Sequence, residues 1–97
     1  MPGIVKISRN KKQYLDLLLL GDEQEIMVDR YLERGDLFVL EDNGIKAVCV
    51  VTKEGPKICE LKNIAVTPIA QRQGYGRKLI NYLITVSYTH LTLPTKA

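Results

Sequence analysis

The residues with the clearest chemical potential lie between positions 71 and 78, in the stretch QRQGYGRK. Gly74 and Gly76 let the backbone turn sharply and approach a ligand closely. A run with helical spacing follows, and the first turn of a helix presents unpaired N–H groups and the positive end of its dipole. Arg72, Arg77 and Lys78 add positive charge at the same place. The pattern predicts a loop that binds a phosphate group, with a diphosphate as a suitable ligand.

The usual nucleotide-binding motifs do not fit this stretch. A P-loop places Ser or Thr directly after Gly-Lys, whereas Gly76 is followed by Arg77, Lys78 and Leu79. A dinucleotide fingerprint requires a third glycine where Leu79 stands, and it requires a parallel βαβ unit. A simple turn without a ligand is the alternative for an isolated pair of glycines.

Composition limits the class of protein. The chain has 97 residues, of which 45% are hydrophobic and 26% charged, so it predicts one small globular domain. Its net charge of +3 is too low to indicate a nucleic-acid partner. No apolar run approaches the roughly 20 residues of a membrane span, and no signal peptide is recognisable. We therefore expect a cytoplasmic protein that binds neither nucleic acid nor membrane.

The two cysteines, Cys49 and Cys59, lie in apolar strand-like runs. They form no CxxC or Cys/His cluster, so we expect no metal site. Buried free thiols are the expected state, with a disulfide as the alternative, and a core position is favoured over a nucleophile.

The order of predicted elements is β-α-α-β-β-β-α. The first strand spans residues 3–8, and helices follow at 11–20 and from 22 to about 34, where Asp22 and Glu25 are typical of a capping box. Two strands around Asn43-Gly44 read as a hairpin, and residues 57–66 add a third strand. Strict alternation would place Glu60, Lys62, Ile64 and Val66 on one face and Cys59, Leu61, Asn63 and Ala65 on the other. The expected class is α+β with an antiparallel meander.

In this context the loop resembles the signature of the GNAT family, the Gcn5-related N-acetyltransferases. That signature is a strand, a short loop, Q/R-x-x-G-x-G/A and a helix, and the segment ELKNIAVTPIAQRQGYGRKLINYLI contains it. Gln71, Gly74 and Gly76 match its three defining positions. The preceding order of elements is similar to the first half of the family fold. The resemblance covers about residues 3–85 and implies the GNAT-type fold, first half only.

The resemblance implies an N-acetyltransferase that moves acetyl from acetyl-CoA to a primary amine by direct attack, without a metal. A non-catalytic CoA or acyl-CoA-binding module is the alternative. The acceptor would be a small-molecule or peptide amine, and a homodimer of the full-length protein stays open. Backbone groups of the loop would bind the pyrophosphate of coenzyme A, which assigns this role to Gln71, Arg72, Gln73, Gly74, Tyr75, Gly76 and Arg77.

The preceding strand would pair with the pantetheine arm as if with a neighbouring strand, through Ile64, Ala65 and Val66. The acetyl carbonyl would face the N–H group of Val66. Glu60 stands eleven residues before Gln71 and looks like the general base of the histone acetyltransferase branch. The alternative for Glu60 is an ion pair with Lys62 or with a cation on a helix. The resemblance also brings the two N-terminal helices near the acceptor, where Asp29, Arg30 or Tyr31 could touch it.

The C-terminal segment differs in style from the rest of the chain. The helical pattern stops after Thr85, and residues 86–95 read VSYTHLTLPT. These residues can be back-translated into the transposase adapter used in sequencing libraries. We therefore expect a partial GNAT acetyltransferase domain over residues 1–85 and a non-native tail over 86–97, and we assign His90 no role. A divergent natural terminus is the alternative.

A full family member continues with a further strand that forms the other wall of the cofactor cleft. The sequence pattern predicts no such strand here. We accordingly expect a truncated chain, an exposed strand edge along residues 57–66, poor folding and little activity of its own.

Overall fold

Five strands in chain order form one sheet, and helices cover both of its faces. The computed structural model describes residues 3–56, 58–86 and 90–92. The strands are β1 (Gly3–Ile7), β2 (Asp36–Glu41), β3 (Ile45–Gly55), β4 (Ile58–Val66) and β5 (His90–Thr92). The α-helices are α1 (Leu15–Gly21), α2 (Glu25–Leu32) and α3 (Tyr75–Val86), and 3-10 turns span Lys11–Tyr14 and Pro68–Ala70. The predicted α+β class and element order are confirmed for β1 through α3.

The meander pairs antiparallel from β1 to β4, as expected. At the hairpin between β2 and β3, Asn43 has φ 56° and Gly44 has φ 105°. Both values lie in the left-handed region that a tight hairpin turn requires, and Asn and Gly tolerate this region best. This confirms the predicted turn.

Two apolar clusters lie on opposite faces of the sheet, and we name these faces by the helices that cover them. On the α1–α2 face, the buried residues are Leu18, Val28, Tyr31, Leu32, Leu37, Val39, Val48, Val50 and Ala65. On the α3 face, they are Phe38, Leu40, Ala47, Cys49, Val51, Cys59, Leu61, Ala70, Tyr75, Leu79 and Leu83. Each helix turns one apolar side toward the sheet, which is how short amphipathic helices gain most of their stability.

Strand β4 carries one extra residue, Lys62, relative to β3. Val50 pairs with Asn63, whereas Val51 pairs with Leu61. An inserted residue reverses the alternation of side chains beyond it. Cys59 and Leu61 therefore share the α3 face with Ile64 and Val66, while Asn63 and Ala65 lie on the α1–α2 face.

This bulge overturns the predicted faces of residues 57–66. The strict alternation grouped Glu60 with Ile64 and Val66, and this was wrong. Glu60 lies opposite Thr52 on β3. Val51, the neighbour of Thr52, faces α3, so Thr52 and its partner Glu60 face α1 and α2. The pattern of residue types is regular through the strand, and only the pairing with β3 reveals the insertion.

The predicted capping box at the start of α2 is also corrected. The helix begins at Glu25, and its N-cap is Gln24 without a side-chain cap. The Asp22 carboxylate instead accepts a hydrogen bond from the Gln24 backbone N–H at 3.2 Å. Glu25 does not reach back, because its carboxylate pairs with the Lys12 ammonium at 2.8 Å.

The sheet continues past the last helix, where we expected no strand. β5 pairs in parallel with Ile58, Cys59 and Glu60. Unpaired N–H and C=O groups along an edge accept any extended segment, and alternating Thr and Leu residues favour an extended backbone. The expected exposed edge therefore begins only beyond Glu60. The expected domain boundary after residue 85, and the non-native origin of residues 86–97, stay predictions.

One cation holds the two N-terminal helical segments together. The Lys11 ammonium donates to the backbone carbonyls of Leu32 at 3.0 Å, Glu33 at 3.1 Å and Gly35 at 2.7 Å. Gly35 ends the helix as expected, since its N–H donates to the Tyr31 carbonyl at 2.9 Å. A cation at a helix C-terminus satisfies carbonyls that have no partner within the helix.

Replacing Lys11 by methionine should therefore destabilise the fold. We expect Lys11→Met to lower the free energy of unfolding by about 1 to 3 kcal/mol, because three carbonyls lose a charged donor. The matched control is Lys12→Met. Lys12→Met removes exposed ion pairs to Glu25 and Asp29, and it should lower the free energy of unfolding by less than Lys11→Met does, since solvent screens such pairs. Urea unfolding followed by circular dichroism measures both, and equal losses would contradict this role of Lys11.

Candidate functional site

The outer edge of β4 offers backbone groups at two of the three strand residues predicted to bind a ligand. The Thr67 N–H donates to the Lys46 carbonyl at 2.8 Å, which makes these two residues a hydrogen-bonded pair. Antiparallel strands alternate between bonded and non-bonded pairs, so Ala65 also directs its backbone groups toward β3. Ile64 and Val66 direct theirs away from β3, to the outer edge. Ala65 is therefore not placed to bind a ligand through its backbone.

This edge is open along its second half. β5 pairs only with residues 58–60, and within the described ranges no strand pairs with the outer side of residues 61–66. The gap begins at Leu61, next to the Lys62 bulge. A strand edge that is covered at one end and open at the other can receive an extended ligand.

The loop after β4 presents a row of free N–H groups. Arg72 has φ 67° and Gly74 has φ 86°, so residues with positive φ alternate with residues with negative φ along the loop. This alternation forms a concave nest of N–H groups. In the part of the chain that the structure describes, the N–H groups of residues 72–77 have no acceptor. The first helical bond of α3 runs from the Lys78 N–H to the Gly74 carbonyl at 3.0 Å. Free donors beside the positive end of a helix dipole are the features expected of an anion-binding loop, and anion binding by residues 71–77 stays a prediction.

The side chains of two loop residues fix the loop and do not face a ligand. The Gln71 amide donates to the Val66 carbonyl at 3.3 Å, and the Gln73 amide donates to the Ile69 carbonyl at 3.4 Å. Arg72 and Arg77 are exposed at the rim. The arrangement therefore supplies backbone donors inside and exposed positive charge outside.

Tyr75 contributes only its backbone to this site. Its ring is buried on the α3 face, and its hydroxyl donates to the Asp42 carboxylate at 2.8 Å. This hydrogen bond, together with burial, raises the pKa of Tyr75. Lys78 lies over the ring, with its ammonium 5.3 Å from the ring centroid. The side chain thus ties the start of α3 to the β2–β3 hairpin.

Glu60, the predicted general base, lies at the closed end of the open edge. It pairs with Thr92 of β5, directly before the gap. Its carboxylate is 3.2 Å from the Lys62 ammonium, and 32% of the Glu60 side chain is exposed. The ion pair that we named as the alternative is therefore present. Partial exposure leaves the carboxylate accessible to solvent.

Sequence reasoning missed a buried polar network beside the open edge. The Asn63 amide donates to the Leu18 carbonyl at 2.8 Å and to the Tyr31 hydroxyl at 3.0 Å, and that hydroxyl donates to the Asp22 carboxylate at 3.2 Å. Asn63 is 2% exposed. A buried polar side chain has to be hydrogen-bonded, so this network fixes the α1–α2 junction against β4. The signal in the sequence was an Asn within an apolar strand.

Gly21 is required at this junction. A Cβ atom there would lie 2.1 Å from the Asn63 side-chain oxygen and 2.9 Å from the Ile64 carbonyl oxygen. Contacts this short exclude any side chain. The end of α1 therefore lies directly against the outward-facing carbonyl of Ile64.

The two cysteines are buried and form no disulfide, as expected. Burial raises the pKa of the Cys49 thiol to about 12 and also raises the pKa of Cys59. A thiol must ionise to act as a nucleophile. Burial and the raised pKa of both thiols therefore favour a core position over a nucleophile.

A model of the acetyltransferase (GNAT) domain matches residues 33–96, which is more than half of the chain. The chain belongs to the GNAT acetyltransferase family. Among curated proteins it is 39% identical over 66 residues to the uncharacterised N-acetyltransferase YvbK of Bacillus subtilis, a match that covers 67% of this chain and 43% of YvbK.

Solved GNAT structures confirm the fold. A GNAT family acetyltransferase from Elizabethkingia anophelis with acetyl-CoA bound is 32% identical, with a TM-score of 0.79 over 86% of this chain and 55% of that one. A Bacillus subtilis acetyltransferase in complex with CoA is 33% identical, with a TM-score of 0.78 over 87% and 56%. The chain thus spans about half the length of the GNAT proteins that it matches. Among the described residues, no helix is long and apolar enough to cross a membrane.

The two loop glycines should respond differently to substitution. Gly74 has φ 86°, so Gly74→Ala should destabilise the GNAT fold by about 1 to 2 kcal/mol through backbone strain. At Gly76 a Cβ atom would meet the Val66 and Ile64 side chains at the ordinary contact distances of 3.7 and 3.8 Å. Gly76→Ala should therefore fold normally and keep its N–H in place, in line with a signature that accepts Gly or Ala here.

Thermal unfolding and titration with CoA separate the two effects. We expect Gly74→Ala to lower the melting temperature and, measured well below it, to lose about tenfold in CoA affinity, since the nest depends on the positive φ angle of residue 74, whereas Gly76→Ala keeps both. Gly3→Ala is the control, because its Cβ would meet no atom within 4 Å. Unchanged CoA affinity in Gly74→Ala would contradict the assignment of the loop as the pyrophosphate site.

Tyr31 should make the stability of the protein depend on alkaline pH. Burial, the largest cause, raises the pKa of Tyr31 from 10.0 to about 12. The unfolded chain loses this proton near pH 10 and the folded chain only near 12, so the stabilisation is complete below pH 10 and is lost toward pH 12. The difference in unfolding free energy between the unsubstituted protein and Tyr31→Phe should therefore decrease between pH 10 and pH 12, by at most about 2.7 kcal/mol. Denaturant titrations of both proteins measure it, and a constant difference would refute the prediction.

Proposed function

We propose that this protein is an N-acetyltransferase that moves acetyl from acetyl-CoA to a primary amine by direct attack. One observation carries the proposal: the open edge at Ile64 and Val66 leads directly into the row of free N–H groups at residues 72–77. An extended amide arm that ends in a diphosphate matches this sequence of sites. Acetyl-CoA has this shape, and the Elizabethkingia relative is described with acetyl-CoA bound.

The proposed binding mode uses the backbone almost throughout. The pyrophosphate lies in the nest from Gln71 to Arg77, with Arg72 and Arg77 adding charge at the rim. The pantetheine amides pair with the outward groups of Ile64 and Val66, and Ala65 contributes only packing. Because the arm starts at the nest and passes Val66 before Ile64, the acetyl carbonyl accepts a hydrogen bond from the Ile64 N–H, nearer to Glu60, and not from Val66 as first expected; this N–H stabilises the negative charge that develops as the amine attacks.

Direct attack is supported by the burial of both cysteine thiols. Cys49 is 0% and Cys59 5% exposed, and burial raises the pKa of both thiols. An acyl-enzyme intermediate would require one of them to reach the thioester as a thiolate. Transfer within a complex of both substrates needs only that the amine is held near the thioester and loses its proton.

We propose Glu60 as the group that accepts this proton, directly or through water. Its position at the closed end of the edge and its partial exposure support the role. The ion pair with Lys62 must loosen for the carboxylate to act. That same ion pair favours the second candidate, a CoA-binding module without catalysis, because a permanently paired carboxylate is not available as a base.

Glu60→Gln separates the two functions. We expect acetyl transfer by this protein to fall by about 10²- to 10⁴-fold, the usual contribution of a positioned base, with CoA affinity unchanged. Glu33→Gln, an exposed carboxylate at the end of α2, is the control and should keep full activity.

The assay is acetyl-CoA consumption across a panel of amines and peptides, together with CoA binding by calorimetry. Full activity in Glu60→Gln would exclude it as the base. CoA binding without acetylation of any amine would support the binding module. Failure to bind CoA would overturn both functions.

A further inference from the structure

A lysine of the chain itself lies beside the proposed base. The Lys62 ammonium is 3.2 Å from the Glu60 carboxylate, and 23% of the Lys62 side chain is exposed. A base accepts a proton from a group within about 2.6 to 3.2 Å of it. Because the proposed function requires Glu60 to remove a proton from an attacking amine, the Lys62 amine already occupies the position from which that proton is taken.

The Lys62 ammonium lies on the α1–α2 face. A hydrogen bond from the Thr52 hydroxyl is the main cause that lowers the pKa of Glu54, and the Lys62 ammonium lowers this pKa further. Thr52 pairs with Glu60 across β3 and β4, and both face α1 and α2. Lys62 is therefore close to two carboxylates on this face, while α3 covers the opposite face of the sheet.

Lys62 also lies close to the proposed position of the acetyl group along β4. It is the extra residue of the strand, two positions before Ile64. Two residues of a strand span about 7 Å, and the flexible four-carbon side chain of a lysine carries its amine over a similar length. In the proposed binding mode the acetyl carbonyl lies at the Ile64 N–H. The Lys62 amine can therefore reach the thioester as well as the base.

We propose that Lys62 is a self-acetylation site, at which bound acetyl-CoA transfers its acetyl group to the Lys62 amine with Glu60 as the base. The inference rests on the proposed function, because it uses the same cofactor position and the same base. It adds a residue of the protein as an acceptor of the acetyl group.

The reaction balances without a further reactant. Glu60 accepts one proton from the Lys62 ammonium, and the free electron pair of the nitrogen attacks the thioester carbon. The N–C bond forms, the C–S bond breaks, and coenzyme A leaves as a thiolate. The second proton of the nitrogen protonates this thiolate, and Glu60 passes the first to solvent. The acetylated lysine carries no charge, so the product also ends the ion pair that holds Glu60.

Peptide mass spectrometry after incubation of this protein with acetyl-CoA tests the site, with Lys53 as an internal control. Lys53 is exposed and lies on β3 opposite Cys59, on the α3 face. Random acetylation from solution favours the more exposed lysine. We expect Lys62 to be acetylated at least about tenfold faster than Lys53, because a bound thioester is held beside it.

Two further measurements identify transfer within one complex. The rate constant at Lys62 should not change with protein concentration, and excess CoA should slow acetylation at Lys62 but not at Lys53. Glu60→Gln should slow acetylation of Lys62 by about 10²-fold or more, whereas the control Glu33→Gln should not change it. Intact mass should show one acetyl group fewer in Lys62→Arg and no such loss in Lys53→Arg.

The outcomes separate this inference from the proposed function. Equal acetylation of Lys62 and Lys53, a rate that rises with protein concentration, or an unchanged rate in Glu60→Gln would overturn the self-acetylation site. Acetylation of an added amine with no acetyl group on Lys62 would overturn this site and leave the acetyltransferase. Acetylated Lys62 without product from any amine of the panel would support the site and overturn transfer to an external acceptor. Failure to bind CoA would overturn both.

Discussion

The extra residue at Lys62 is the constraint on which the site depends. Without it, Ile64 and Val66 would face α1 and α2, and Asn63 would face α3. With it, the second half of β4 turns its apolar side chains to α3 while its polar residue meets the α1–α2 junction. A bulge also bends and twists the strand that carries it. The pairing with β5 stops within two residues of the bulge, so the same local irregularity coincides with the opening of the edge.

Asn63 fixes the position of α1 and α2 relative to the second half of β4. Its amide bonds to the Leu18 carbonyl and the Tyr31 hydroxyl, and Gly21 leaves no space between α1 and the strand. The side-chain oxygen of Asn63 is buried without a hydrogen-bond partner among the described residues. An unsatisfied buried group of this kind costs about 1 to 3 kcal/mol, so the amide donors have to offset it by holding two elements in one position. The open edge thus has a rigid wall on the α1–α2 face.

The amino-acid sequence was sufficient for the element order and for the loop, because both depend on local signals. Asn43-Gly44 specifies a hairpin through positive φ angles, and Gly74 does the same for the nest. Family resemblance added the ligand class. What could not be predicted depends on pairing between distant residues. Lys62 is an unremarkable residue in a regular pattern, and only its register against Val50 and Val51 shows the bulge. The capping box failed for a similar reason, since Lys12 binds Glu25 from another segment.

The loop is held at both ends, and this determines how it can bind an anion. The Gln71 amide ties its start to the last residue of β4, and the Tyr75 hydroxyl ties its end to Asp42 in the β2–β3 hairpin. Ordering a mobile loop on binding costs free energy for each residue fixed, whereas a loop fixed in advance does not incur this cost. The side chains of Gln71 and Tyr75 therefore act on a ligand indirectly, because they hold the N–H groups of the residues between them in place.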